Sequence, residues 1–146
     1  MDHSPAYIIA HYLRDEGILS DPTGNDSWPV YVGALPDGDE VVHDVAGCID
    51  TTPVKDGRLM SLGENLFHAG IQLLLRAETY NTGYQKAQAI ATALEGVNRD
   101  EITISLKTYR IDNVSQTTGI VVMGQEEGSK RRELFSMNFL TTLKEI

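Results

Sequence analysis

Cysteine is almost missing from this sequence: Cys48 stands alone among 146 residues, so no disulfide can form within the chain. Aromatic residues make up only 7%, so a core has to be built mainly from aliphatic side chains. Positive charge is scarce, with 12 Lys and Arg against 21 Asp and Glu and a net charge of −9. Such a chain lacks the basic face that holds phosphate backbones or anionic headgroups. That excludes a general nucleic-acid binder and a protein of anionic membrane surfaces. No apolar run reaches the roughly 18 residues of a spanning helix. The opening Met1-Asp2-His3-Ser4-Pro5 has neither the basic start nor the apolar centre of a secretory signal. Synthesis in a reducing cytosol is therefore expected.

What is present suits one soluble domain over residues 1–146: 41% apolar and 23% charged. Ser4 is a good N-cap, Pro5 fits a first helical turn, and Ile8, Ile9, Tyr12 and Leu13 share one side. The spacing predicts a helix from Pro5 to Glu16, stopped at Gly17. Trp28 to Gly33 and Val41 to Cys48 read as two strands joined by the turn Leu35-Pro36-Asp37-Gly38-Asp39, a hairpin. Val45, Ala46 and Ile49 flank Cys48 and make it a buried, inert thiol.

Residues Ile49 to Asn65 show no clear period, and a connection of that length is usually functional or mobile. In Ala69 to Glu78, Ile71, Leu73, Leu75 and Ala77 alternate with Gln72, Leu74, Arg76 and Glu78, which predicts a third strand. Asn81-Thr82-Gly83 caps a second helix with an apolar stripe at Tyr84, Ala87, Ile90, Ala91, Leu94 and Val97. Strands at Ile102–Leu106, Ile120–Met123 and Leu134–Leu140 close the chain. The expected fold is α+β in the order α-β-β-β-α-β-β-β, mostly antiparallel, with two helices packed on the sheet. Two similar halves are suggested, without a sequence repeat.

The motifs of chemistry are missing. There is no HExxH, CxxC or paired-His spacing, and His43 and Asp44 alternate to opposite faces of their strand. No GxSxG elbow is present. Gly124 to Lys130 lacks phosphate-loop spacing and carries Glu126 and Glu127, which would repel phosphate. The paired carboxylates fall in turns or at element ends, where solvated charges belong. Lys130-Arg131-Arg132 is the only basic run; a salt-bridging strand edge at a subunit contact is its preferred reading, and a plain solvated turn is the alternative of about equal weight. No catalytic, cofactor or metal site is expected.

The segments Trp28 to Asp37 and Gly70 to Tyr80, the latter leading into Gly83-Tyr84-Gln85-Lys86-Ala87, carry a resemblance. A strand ending in an arginine, then a tyrosine pair at the start of an Ala-rich helix, resembles the minor capsid and tail-terminator (tail-completion) proteins of long-tailed bacteriophages. Gly119 to Phe139, with Arg131-Arg132 and Asn138-Phe139, is similar too. The apolar Leu73-Leu74-Leu75 and the acidic Gln125-Glu126-Glu127-Gly128 depart from the pattern.

The resemblance implies a non-enzymatic structural protein, assembled in the host cytoplasm and placed in the virion at the head–tail joint. Such proteins form a ring, usually a hexamer, that ends tube polymerisation and docks the head connector. The implied partners are further copies of the chain, the tail tube protein and the connector or stopper protein, with no membrane. DNA passes through the lumen without specific binding, which an acidic lining would favour. Candidate residues for the oligomer or tail-tube interface are Lys55, Asp56, Arg58, Arg76, Lys130, Arg131 and Arg132. The alternatives are a head-completion or stopper protein of the neck and a strand-adding adaptor module.

Overall fold

The computed structural model describes residues 2–24, 27–36, 44–51, 55–59, 64–126 and 131–146, with backbone alone at 55–59, 64 and 65. Helix α1 spans Pro5–Asp15, and the Ser4 hydroxyl accepts a hydrogen bond from the Tyr7 amide at 3.2 Å. Helix α2 spans Tyr80–Glu95. Its cap is Thr79, whose hydroxyl accepts from the Thr82 amide at 3.3 Å. The expected cap at Asn81 is thus corrected: the helix starts earlier, and Gly83 lies inside it.

The strands are β1 (Val30–Val32), β2 (Val45–Asp50), β3 (Lys55–Leu59), β4 (Glu64–Ala77), β5 (Asp100–Ile104), β6 (Lys107–Gln116), β7 (Val121–Gln125) and β8 (Glu133–Glu145). The α+β class, the single mostly antiparallel sheet and both helices are as expected. Each half holds one further strand. β3 lies in the aperiodic Ile49–Asn65 connection, and the strand expected at Ile102–Leu106 is the first arm of a β5–β6 hairpin.

The expected hairpin between the first two strands is corrected. β1 pairs β2 in parallel, with Val30 opposite Ala46 and Val32 opposite Cys48. After β1 the chain crosses the face of β2 instead of turning back along it. A Cβ at Gly47 would stand 3.0 Å from both the Ala34 carbonyl oxygen and the Leu35 amide nitrogen. Glycine is needed there because backbone lies directly on it. The expected start of that strand, Val41 to His43, lies outside the described residues.

β4 and β8 run antiparallel through the middle of the sheet, with Gln72 opposite Asn138 at the centre of their ladder. Each long strand has two short neighbours on its other edge. β3 takes Glu64–His68 of β4 and β2 takes Ile71–Arg76. β7 takes Glu133–Ser136 of β8 and β6 takes Phe139–Glu145. The halves α1-β1-β2-β3-β4 and α2-β5-β6-β7-β8 therefore repeat one arrangement about a pseudo-twofold between Gln72 and Asn138. They part company at β1 and β5, since β5 pairs β6 antiparallel.

Both helices cover one face of the sheet. Ile71, Leu73, Leu75 and Ala77 of β4, with Phe135, Met137 and Phe139 of β8, form a single core with Ile9 and Leu13 of α1 and Ile90 and Leu94 of α2. Each fully buried aliphatic side chain contributes about 2 kcal/mol of transfer free energy. The core is mainly aliphatic, as the low aromatic content requires.

Candidate functional site

On the face away from the helices, two of the charged candidates meet partners in their own chain. Arg76 on β4 is 2% exposed, and its Nη1 donates to the Pro36 carbonyl oxygen at 2.6 Å. The segment that crosses Gly47 thus ends as a lid on the arginine. Arg132, just before β8, is 3% exposed and bridges to Glu126, which follows β7. Its Nη2 donates to Glu126 Oε2 at 3.3 Å, and the Glu126 amide donates to the Arg132 carbonyl at 2.8 Å. The guanidinium of Arg132, with a smaller contribution from Arg76, holds the Glu126 carboxyl below the usual carboxylate range. Two buried cations and one carboxylate therefore clamp the β7–β8 turn to the end of β4.

These two arginines face partners in their own chain. The other candidates are distributed differently. Arg131 is exposed and has φ +46°, a left-handed backbone held by the turn. Lys130 lies outside the described residues, and Lys55, Asp56 and Arg58 are placed on β3 by their backbone. Arg76 and Arg132 come together, but β3 pairs the opposite end of β4 from Arg76. Position in the sequence signalled Arg132 as a charged strand edge. That its partner is Glu126 of the same turn was not legible in a run of three basic residues.

A second polar group fills the corner between the C-terminal end of α1 and α2, beside a cleft of about 500 Å³. Arg14 pairs Asp21 at 2.6 Å, and Lys86 donates to the Ile18 carbonyl at 2.9 Å while lying 5.7 Å from the centre of the Trp28 ring. Burial lowers the Lys86 pKa. These groups use one another and hold α2 against the turn after α1. Cys48 is fully buried, and desolvation pushes its thiol far above the usual range. Among the described residues, no group of three His, Cys, Asp or Glu could hold a metal ion. His43 lies outside them. No helix among the described residues is long and apolar enough to cross a membrane.

The strand expected at Ile120–Met123 is β7, and what sequence reasoning passed over is its exposed apolar surface. Its Val121, Val122 and Met123 are 46%, 44% and 54% exposed, three apolar neighbours in a row. The signal was there: a strand with no polar residue at its start is either buried on both faces or covered by something else. β7 pairs only with β8 among the described strands, and a bulge falls between Val122 and Gly124. Beside it, α2 and residues 116–120 wall a groove of about 310 Å³, lined in part by Tyr84, Gln88, Glu95 and Ile120.

A family model described as bacteriophage tail terminator protein matches residues 12–145, nearly the whole chain. No curated protein matches the sequence. Among solved structures, one chain of the virion of a native gene transfer agent particle is similar, at 13% identity and a TM-score of 0.44. The match covers 79% of this chain and 78% of that one.

Proposed function

The chain belongs to the bacteriophage tail terminator family, and we propose that it forms a ring, hexameric in the simplest case, at the head-proximal end of the tail. It is a structural protein of the virion tail; in this reading its work is positional and it catalyses nothing. The ring ends polymerisation of the tail tube protein on one side and presents a docking face to the head connector or stopper on the other. The family match over residues 12–145 is the observation that carries the reading.

The fold supports it in two ways. Both helices lie on one face of the sheet, so the sheet's lateral edges remain as places where neighbours can join. The net charge of −9 gives a ring many acidic groups, and those that face the lumen let DNA slide without specific binding. Arg131 is exposed, and Lys55, Asp56 and Arg58 belong to an outer strand. These residues and Lys130 are the proposed contacts with neighbouring copies or the tube. Arg76 and Arg132 shape the turn that carries Arg131, and their part in assembly is indirect.

The test is complementation of a phage that lacks this gene, with tail length read by negative-stain microscopy and native mass by light scattering. Tails of uniform length joined to heads are expected only when the chain is supplied. Tails of normal length that fail to join heads without it would instead indicate a stopper role. Normal, head-joined tails in its absence would overturn both.

A further inference from the structure

We propose that the outer edge of β7 is the seam between copies: β3 of one molecule adds to β7 of the next and continues its sheet. The inference rests on the ring reading and names the contact that would close it.

A sheet's outer strands present backbone donors and acceptors to any extended chain, and proteins protect them by shortness, charge, proline or bulges. Among the described strands, four are outer ones. β1 has three residues and follows Pro29. β5 begins with Asp100 and Glu101. β3 contains Lys55, Asp56, Gly57 and Arg58. β7 differs, because Val-Val-Met-Gly-Gln holds no charge and its first three side chains are exposed. The bulge at Met123 confines pairing to a short stretch without putting charge or proline on it. An apolar edge of this kind suits a strand that is covered in the assembly. The groove along α2 and residues 116–120 lies at the same margin and gives room for what arrives.

The occupant is a second copy, for two reasons. The first is geometric. Contact between like edges closes a pair, whereas a ring needs unlike edges. β7 lies on one lateral side of the sheet, outside β8, and β3 lies on the other, outside β4. They take corresponding places in the two pseudo-symmetric halves, at opposite ends of the central ladder. Joining them head to tail therefore staggers each sheet against the next, as closure of a barrel-like wall demands.

The second reason is charge. Copies of net charge −9 repel one another. Glu95 puts a carboxylate in the groove wall at the β7 margin, whereas Glu126 of the turn is already paired with Arg132. Within its five residues β3 carries Lys55 and Arg58 against the single acid Asp56, an excess of positive charge to meet Glu95.

Two variants test the seam, each carrying the buried native Cys48. Met123→Cys protein and Asp56→Cys protein are oxidised separately and as a mixture. A disulfide-linked pair that forms in the mixture, well above the level in either sample alone, is expected. In a second arm, Val121→Lys with Met123→Lys should weaken self-association about tenfold or more, since lysine on an edge blocks pairing. Its thermal unfolding should match the wild type, because both sites are exposed. Leu106→Lys, at the exposed β5–β6 turn, should change neither. Rings that persist in the double-lysine variant, with no mixed disulfide, would overturn the seam and leave the ring reading intact. A wild-type chain that stays monomeric at every concentration and gives no mixed disulfide would overturn both.

Discussion

Phe135 on β8 occupies the space that a side chain at Gly83 of α2 would need. A Cβ built at Gly83 would come within 2.9 Å of the Ala77 Cβ and nearer still to the Phe135 ring. The glycine is there for approach, since its helical backbone requires nothing unusual. It lets the first turn of α2 press on the core strands β4 and β8, with Tyr80 tilted over Phe135 at 5.6 Å.

Gly83→Ala should therefore destabilise the protein although alanine is the better helix former. The intrinsic gain is about 1 kcal/mol. Pushing a fully buried ring aside costs about 1–3 kcal/mol. Urea unfolding should show a net loss of up to about 2 kcal/mol, whereas Gln88→Ala, on the exposed side of the same helix, should lie within about 0.5 kcal/mol of wild type.

Arg131 and Arg132 should separate cleanly despite being neighbours. Arg132→Ala removes a buried partner of Glu126 and should cost about 2 kcal/mol. Arg131→Ala should leave unfolding unchanged and act, if anywhere, on assembly. Denaturant midpoints for the two variants decide this.

Acid should remove the contribution of that same pair. The Arg132 hydrogen bond lowers the folded-state pKa of Glu126, so its stabilisation is present above the unfolded carboxylate range and is lost as pH falls through the folded value. Glu126→Gln should be less stable than wild type at pH 7, and the difference should shrink steadily as the carboxylate protonates. Parallel curves from neutral to acid pH would show that the pair contributes nothing.

Tyr12 governs the alkaline side. Burial, then its 3.0 Å hydrogen bond to Asp100, pushes the phenol up to about 12. A raised pKa favours the neutral form, so this contribution is complete below the ordinary tyrosine range and is lost as pH rises towards 12. Tyr12→Phe should cost about 1 kcal/mol at neutral pH and flatten the loss of stability above pH 10. Ultraviolet titration should show one phenolate fewer forming at high pH.

The elements legible in the sequence are those whose signal is local. α1 has its cap, its proline and its apolar side within eleven residues, and the alternation from Ile71 to Ala77 marks β4 because one face of that strand is buried. The pairing of β1 with β2 was not legible. Its direction depends on Ala34 and Leu35 crossing Gly47, a contact between backbone atoms that leaves no hydrophobic period. β3 was missed for a related reason: Lys55-Asp56-Gly57-Arg58-Leu59 is a run of charges and a glycine with no apolar alternation in its sequence. Of the candidate interface, the exposed position of Arg131 follows from its turn. The burial of Arg76 and Arg132 depends on Pro36 and Glu126, which lie 40 and six residues away.

The strand at the middle of this sheet is also the last of the eight to leave the ribosome. β8 bonds to β4, β6 and β7, and its Phe135, Met137 and Phe139 fill the centre of the core. Until it emerges, β4 has one bare edge and both helices lie over half a floor. Its pairing with β4 joins residues from 56 positions apart (Ala77 and Glu133) to 76 apart (Phe67 and Leu143), a slow kind of contact to form. A chain that stops short of β8 therefore lacks the strand that joins the two halves, and neither half can complete the core.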